Sequence, residues 1–238
     1  MKKKMKKELT IVDVRKHKES SIKILSDYIE NLISNPDTLK KADLLAYWLE
    51  DYTRYLSSEN TFQPSLYKKY ERGDIIKVNL GFNVGSEEGG LHYAVVLDKK
   101  NPIHSPTLTI IPLSSIKNIE DLHYNDINLG TQIYDALKNK IDSYMNTLLK
   151  PFTCKEDLKN AGEDKVSELI LGLQEIDKMV RELSKMKSGS LAIVNQITTI
   201  SKQRIYDPKH VKDILSGIKL SNENLDLINE KIKKLYIW

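Results

Sequence analysis

Within seven positions of the run NLGFNVGSEEGGLHYAVVLD, residues 79–98, stand a serine, two carboxylates and a histidine: Ser86, Glu87, Glu88 and His92. An imidazole with an ordinary pKa of about 6.5 gives or takes a proton near neutrality, so His92 is a candidate acid or base. The other role open to it is structural, a half-buried ring satisfied by one local hydrogen bond. Glu87 and Glu88 are candidate general bases or a solvated acidic pair. His104, beside Ser105-Pro106, sits in a predicted loop, and His17, His123 and His210 have no spacing that makes a metal site. No metal or other cofactor is expected. The single cysteine, Cys154, excludes an intramolecular disulfide and a cysteine-based metal cluster, and it stands in a charged helical context without a nearby histidine.

The elements that must position these residues change period along the chain. Residues 15 to 57 have helical spacing, with Ile22, Leu25, Ile29 and Leu32 before Asn35-Pro36 and Leu45, Trp48, Leu49, Tyr52 and Leu56 after it. An antiparallel helical hairpin is expected there, followed by a polar connector, SSENTFQPS. From Asp74 the runs DIIKVNL, HYAVVLD and TLTIIPL read as short strands of a compact antiparallel sheet or barrel, and YNDINL as one more. Helical spacing returns from about Thr131 with Ile133, Leu137, Ile141, Tyr144 and Leu148, and ends at Pro151. Val166, Leu169, Leu173, Ile176, Val180 and Leu183 then alternate steps of three and four, which fits a coiled-coil seam or an amphipathic helix packed on its own domain. SLAIVNQITTI and RIY read as further strands. Asp207-Pro208 is expected to cap a short helix, and Ser221 a last one with Leu225, Ile228, Ile232 and Leu235.

At 238 residues, 40% of them hydrophobic, the chain can bury an ordinary core. No apolar run approaches the roughly 18 residues of a membrane span, and the opening MKKKMKK leads into ELTIVDV, not into a secretory signal. A cytoplasmic protein is expected. Its net charge of +4 rules out a strongly polybasic chain but permits a local positive groove. Only five of the 37 basic residues are arginines (Arg15, Arg54, Arg72, Arg181 and Arg204), so few bidentate phosphate clamps are available. The N-terminal lysine run reads as a solvated tail.

Four segments in order then carry a family resemblance: Gly73-Asp74, the loop Gly85 to Gly90, Pro112 to Ser115, and Gln196 to Arg204. Together they resemble the MazF/PemK family of bacterial toxin ribonucleases over roughly residues 70–120 and 188–238. The resemblance implies an α+β chain built on a small SH3-like antiparallel β-barrel with a C-terminal helix, elaborated by an N-terminal helical hairpin and an inserted helical or coiled-coil hairpin. The corresponding expected division is a helical extension over 1–68, a first barrel part over 69–130, an insertion over 131–187 and a second barrel part over 188–238. It also implies a homodimer that cuts single-stranded RNA without a metal, through attack of a 2′-hydroxyl on the adjacent phosphorus, giving a 2′,3′-cyclic phosphate and a 5′-hydroxyl. An antitoxin protein is the implied partner.

Carried over position by position, Ser86 and Glu87 match the loop of the family, and Ser114 keeps a hydroxyl where the family has a threonine. With His92 they make the expected catalytic set of His92, Ser114 and Ser86. Glu87, Glu88, Gly89, Gly90, Gln196 and Arg204 are the expected RNA contacts. Gln196 would read a base edge or pair with backbone groups at the sheet end, and Arg204 would meet RNA or a structural partner. This sequence departs from the family at His92, where an arginine is usual, and at Thr198, where many members have a cation. A histidine moves protons but has no fork to hold two phosphate oxygens, so the positive charge must come from Arg72, Arg204, Lys99, Lys100 or backbone N–H groups. The competing expectation is a binding module on the same scaffold that engages RNA, an antitoxin or another protein without cleavage.

Overall fold

The computed structural model describes residues 9–116, 123–187 and 189–237; the N-terminal lysine run lies outside them. The chain divides into two compact units between Ser57 and Ser58. The first contains helices α1 (Ile11–Ile33) and nearly all of α2 (Leu39–Ser58). Thr10 starts α1 through a reciprocal cap with Asp13, its hydroxyl accepting from the Asp13 N–H at 3.2 Å. Asn35 and Pro36 end it, the Asn35 side chain accepting from the Asp37 N–H at 3.0 Å. Of the expected apolar faces, Leu32 and Leu45 are buried, whereas Ile22 is 60% exposed.

The second unit is built on seven antiparallel strands: β1 (Ile75–Asn79), β2 (Leu91–Val96), β3 (Thr107–Ser115), β4 (Asp126–Gly130), β5 (Ser190–Ile193), β6 (Thr198–Ser201) and β7 (Ile205–Asp207). The sheet runs β4-β5-β3-β2-β1-β7, with β6 on β3. Among the described residues no pairing joins β4 to β7, so the sheet is an open antiparallel one and closure into the expected barrel is not part of it. Alternation along the strands sends side chains to two cores. Ile76, Val78, Ala94, Val96, Leu108, Ile110, Ile200 and Ile205 pack with Tyr70 on one side, a core made by strands and the residue just ahead of them. On the other side Ile75, Val95, Ile111 and Leu113 are covered by α3 (Gln132–Leu149), α5 (Glu163–Lys185) and α6 (Asn222–Tyr236). A short α4 (Lys155–Lys159) links α3 to α5. No helix among the described residues is long and apolar enough to cross a membrane.

Three local expectations change. First, the run SLAIVNQITTI is not one strand. Leu113 pairs with Ala192 and Ile110 with Thr198, so three more residues lie on the outer strand than β3 can match. They form the 3₁₀ turn Val194–Gln196, opposite Pro112, which has no N–H to lose a partner there. Second, Asp207-Pro208 starts no helix. Residues 209–217 form turns because their polar groups are taken from outside: Lys140 of α3 donates to the carbonyls of Asp213, Ile214 and Ser216 at 2.7 to 3.1 Å, and Asp207 accepts from the Leu215 N–H. Burial pulls the Lys140 ammonium below its ordinary pKa. Third, the buried line of α5 is Gly172, Ile176, Met179 and Glu182, while Leu173 and Val180 of the expected seam stay 45% exposed. Gly172 decides that line. A Cβ there would lie 2.5 Å from a methyl of Leu148, so glycine leaves room for the Leu148 side chain of α3, which any larger residue would have to displace.

Candidate active site

The extra turn in the outer strand is what builds the site. It lifts Gln196 off the sheet edge toward the loop between β1 and β2, where its amide works in both directions. The Glu88 N–H donates to Gln196 Oε1 at 2.6 Å, and Gln196 Nε2 donates to the Ser86 carbonyl at 3.0 Å. The backbone groups that Gln196 engages are those of this loop, where the sequence pointed to the sheet end. The loop is also tied to itself: Gly90 N–H donates to Gly81 O and Leu80 N–H to Gly90 O, both at 2.7 Å, and Asn83 Nδ2 donates to Glu88 O at 2.6 Å. Two of its glycines are required. Gly90 has φ +80°, and a Cβ on Gly89 would lie 2.9 Å from the Gly81 carbonyl.

His92 follows the loop on β2, paired with Val78 of β1. Its Nδ1 lies 3.2 Å from the Leu113 carbonyl, which can only accept, so Nδ1 carries a proton. Nε2, the other ring nitrogen, faces the Glu88 carboxylate at 3.5 Å. The next residue after Leu113 on β3 is Ser114, half-buried. His92, Glu88 and Ser114 thus belong to one neighbourhood, fixed by two strands and a strapped loop.

Two clefts flank the strap. One, of about 570 Å³, is lined by Ser86, Glu87, Glu88, Gln196, Thr198 and Arg204 together with Asn83 and Asn195. The other, of about 890 Å³, contains Ser86, Glu88, Ser114, Ser115 and Gln196, and extends to His123, Tyr124, Asn125 and Asp126. Every expected site residue except His92, Gly89 and Gly90 lines one or both; Gly89 and Gly90 belong to the loop between the strands and His92 to β2 just after it. Arg204 is at the wall of the first cleft with Nε donating to Asn79 O at 2.8 Å and Nη2 to Leu80 O, so its fork fastens the end of β1. Arg72 donates to Leu97 O and Asn229 Oδ1. Lys99, Lys100 and His104 line neither cleft. Among the described residues no group of three or more His, Cys, Asp or Glu side chains is placed to hold a metal ion.

Sequence reasoning missed Tyr124, Asn125, Asn83 and Asn195. Tyr124 is 73% exposed, with the Lys231 ammonium 4.4 Å from its ring centre. The only signal for it was an aromatic residue in a polar stretch before β4.

Beneath the site lies a buried ionic group. Lys77 of β1 donates to Glu182 of α5, and Tyr93, the neighbour of His92, donates to the same carboxylate oxygen at 2.6 Å. Burial would raise the Glu182 carboxyl, but the hydrogen bonds from Lys77 and Tyr93 outweigh it and hold it below the usual range. Burial and the bond to Glu182 push the Tyr93 phenol up.

Residues 71–149 match the family described as PemK-like, MazF-like toxin of type II toxin-antitoxin system. The matched span runs from the residues before β1 through α3; β5, β6 and β7 lie outside it and are hydrogen-bonded into the same sheet. No match was found among curated proteins.

Proposed function

Taking residues 71–149 as a PemK-like, MazF-like toxin domain, a family whose members are generally endoribonucleases, we propose that this protein cleaves single-stranded RNA by 2′-hydroxyl attack, without a metal. The observation that carries the reading is the coupling of His92 to Glu88 at 3.5 Å beside Ser114, on a loop strapped by Gln196 between two open clefts.

The 2′ oxygen attacks phosphorus, the bond from phosphorus to the 5′ oxygen breaks, and the products are a 2′,3′-cyclic phosphate and a 5′-hydroxyl. Two proton transfers are needed, one from the 2′-hydroxyl and one to the departing 5′ oxygen. A carboxylate accepts and an imidazolium donates, so Glu88 takes the first role and His92 Nε2 the second. The hydroxyls of Ser114 and Ser86 donate to the non-bridging oxygens as charge builds on them. Asn83, Asn195 and Asn125 offer amides to unpaired base edges, and exposed Tyr124 offers a stacking face. The normal partner is an antitoxin that covers the same clefts, and the active form is a homodimer.

The test is incubation of the purified protein with a long single-stranded RNA in EDTA, beside His92→Ala and Ser114→Ala variants, with end-group analysis. Discrete cuts with cyclic phosphate ends, lost in His92→Ala, are expected. Intact RNA from folded, antitoxin-free protein overturns the nuclease reading and leaves the binding module, which the engagement of Arg204 with backbone carbonyls favours.

A further inference from the structure

Resting on that reading, we infer that Lys185 and Lys187, at the C-terminal end of α5, supply the phosphate-holding charge of the RNA site. The two clefts beside the Gln196 strap are short of it. Among their described lining residues the basic side chains are Arg204, whose Nε and Nη2 donate to backbone carbonyls, and His123. Phosphoryl chemistry at Ser114 needs a cation close to the non-bridging oxygens.

Behind Ser114 and Ser115 lies a notch of about 50 Å³ in which Lys185 and Lys187 stand with these two serines and Ser190 at the polar end, and Leu113, Ile133, Met186 and the rings of Tyr93 and Tyr134 form the rest of the wall. The same serines line the 890 Å³ cleft, so the end of β3 is a wall common to both spaces. The notch is too small for a nucleobase and its floor is apolar, so the place for a phosphate is its edge, where the serines and the lysines meet, and such a contact is made without regard to sequence.

Both lysines stand on a fixed base. Glu182, one turn earlier, is buried in hydrogen bonds from Lys77 and Tyr93, and Leu183 and Met186 pack into the core. Lys185 itself is 67% exposed, and its ammonium forms a long ion pair with Glu182 Oε2 at 3.9 Å, without a hydrogen bond. α5 lies outside the matched span, so the added helix would complete the site chemically as well as structurally.

The experiment measures two quantities against salt concentration for the full chain: cleavage of single-stranded RNA, and binding of the same RNA with 2′-deoxy sugars, which cannot be cut. Wild type is compared with Lys185→Gln/Lys187→Gln, the double arginine replacement, and Lys178→Gln elsewhere on α5. In the double glutamine variant kcat/KM at low salt is expected to fall about five- to tenfold per lysine. The slope of log affinity against log salt is expected to flatten by about 1.4, two phosphate contacts on a single strand. The arginine pair restores both, and Lys178→Gln changes neither. Lysines that only complement the helix end would lower Tm and leave the salt slope alone, which overturns the inference. RNA bound with the lysine-dependent slope but not cut sinks the nuclease reading while the cation wall stands. Wild type that neither binds nor cuts overturns both.

Discussion

Two loops of the second unit are each held by one side chain from a distant element, and they are held in opposite ways. Residues 209–217 are tied by Lys140, whose ammonium spends all three of its donors on the carbonyls of Asp213, Ile214 and Ser216. Residues 81–90 are tied by the neutral amide of Gln196, one bond in each direction, which leaves Ser86 and Glu87 exposed beside a cleft. The first tie satisfies backbone groups and finishes a fold. The second fixes a loop while keeping its polar side chains open to a ligand, the condition a preorganised site requires.

That contrast is sharpest when each anchor is removed. The largest stability loss belongs to a third anchor, Glu182, because its removal leaves the Lys77 ammonium buried without a partner. Glu182→Ala should cost about 3–5 kcal/mol in chemical denaturation. Acid should act in the same direction. The Glu182 carboxyl is held below its ordinary value, so its contribution is complete above the unfolded pKa and is lost as pH falls through the folded one. A wild-type stability that does not decline more steeply with acid than that of Glu182→Gln would refute the assignment.

Next comes Lys140→Ala, which strands three carbonyls and should cost about 2–3 kcal/mol while leaving RNA cleavage per folded molecule unchanged. Gln196→Ala should reverse that pattern, with about 1 kcal/mol of stability and about a hundredfold of kcat lost as the loop slackens. Equal effects of the two variants on cleavage would erase the distinction between the loops.

The smallest effect is expected at Lys202, fully buried, whose ammonium donates to Pro102 O at 3.4 Å and lies 5.6 Å from the ring of Tyr70. Burial lowers its pKa, so between the folded value and the ordinary one near 10.5 the unfolded chain binds more protons and stability rises with pH. Lys202→Met should therefore be neutral or stabilising by about 1 kcal/mol at pH 7 and should flatten that rise, measured as Tm between pH 7 and 10.

The site was legible in the sequence wherever its residues are neighbours in the chain. Ser86, Glu87, Glu88 and His92 occur in one short run, and a glycine pair between two strand-like stretches announces a tight loop. The cap of α1, the break at Asn35-Pro36 and the strands from Ile75 to Leu113 follow from local period and turn chemistry in the same way. Harder to read was the interruption at Val194–Gln196, since Asn195 is a single turn-forming residue inside an otherwise strand-like run. The three-residue excess there exists only relative to β3. Asp207-Pro208 misled for a related reason: its local signal for a helix start is sound, but Lys140, 73 residues from Asp213, takes the carbonyls a helix would use.

By itself, then, the sequence determined most of the strands and helices and which short loop brings a serine, two carboxylates and a histidine together, because period, capping and glycine act over a few residues. Tertiary structure decided which nitrogen of His92 faces Glu88, that Arg204 faces the backbone, and that α5 brings Glu182 to Lys77 and two lysines to the notch at Ser114. Those outcomes depend on what lies opposite a residue across the sheet, and opposition in space is set by register and packing, which no local spacing encodes.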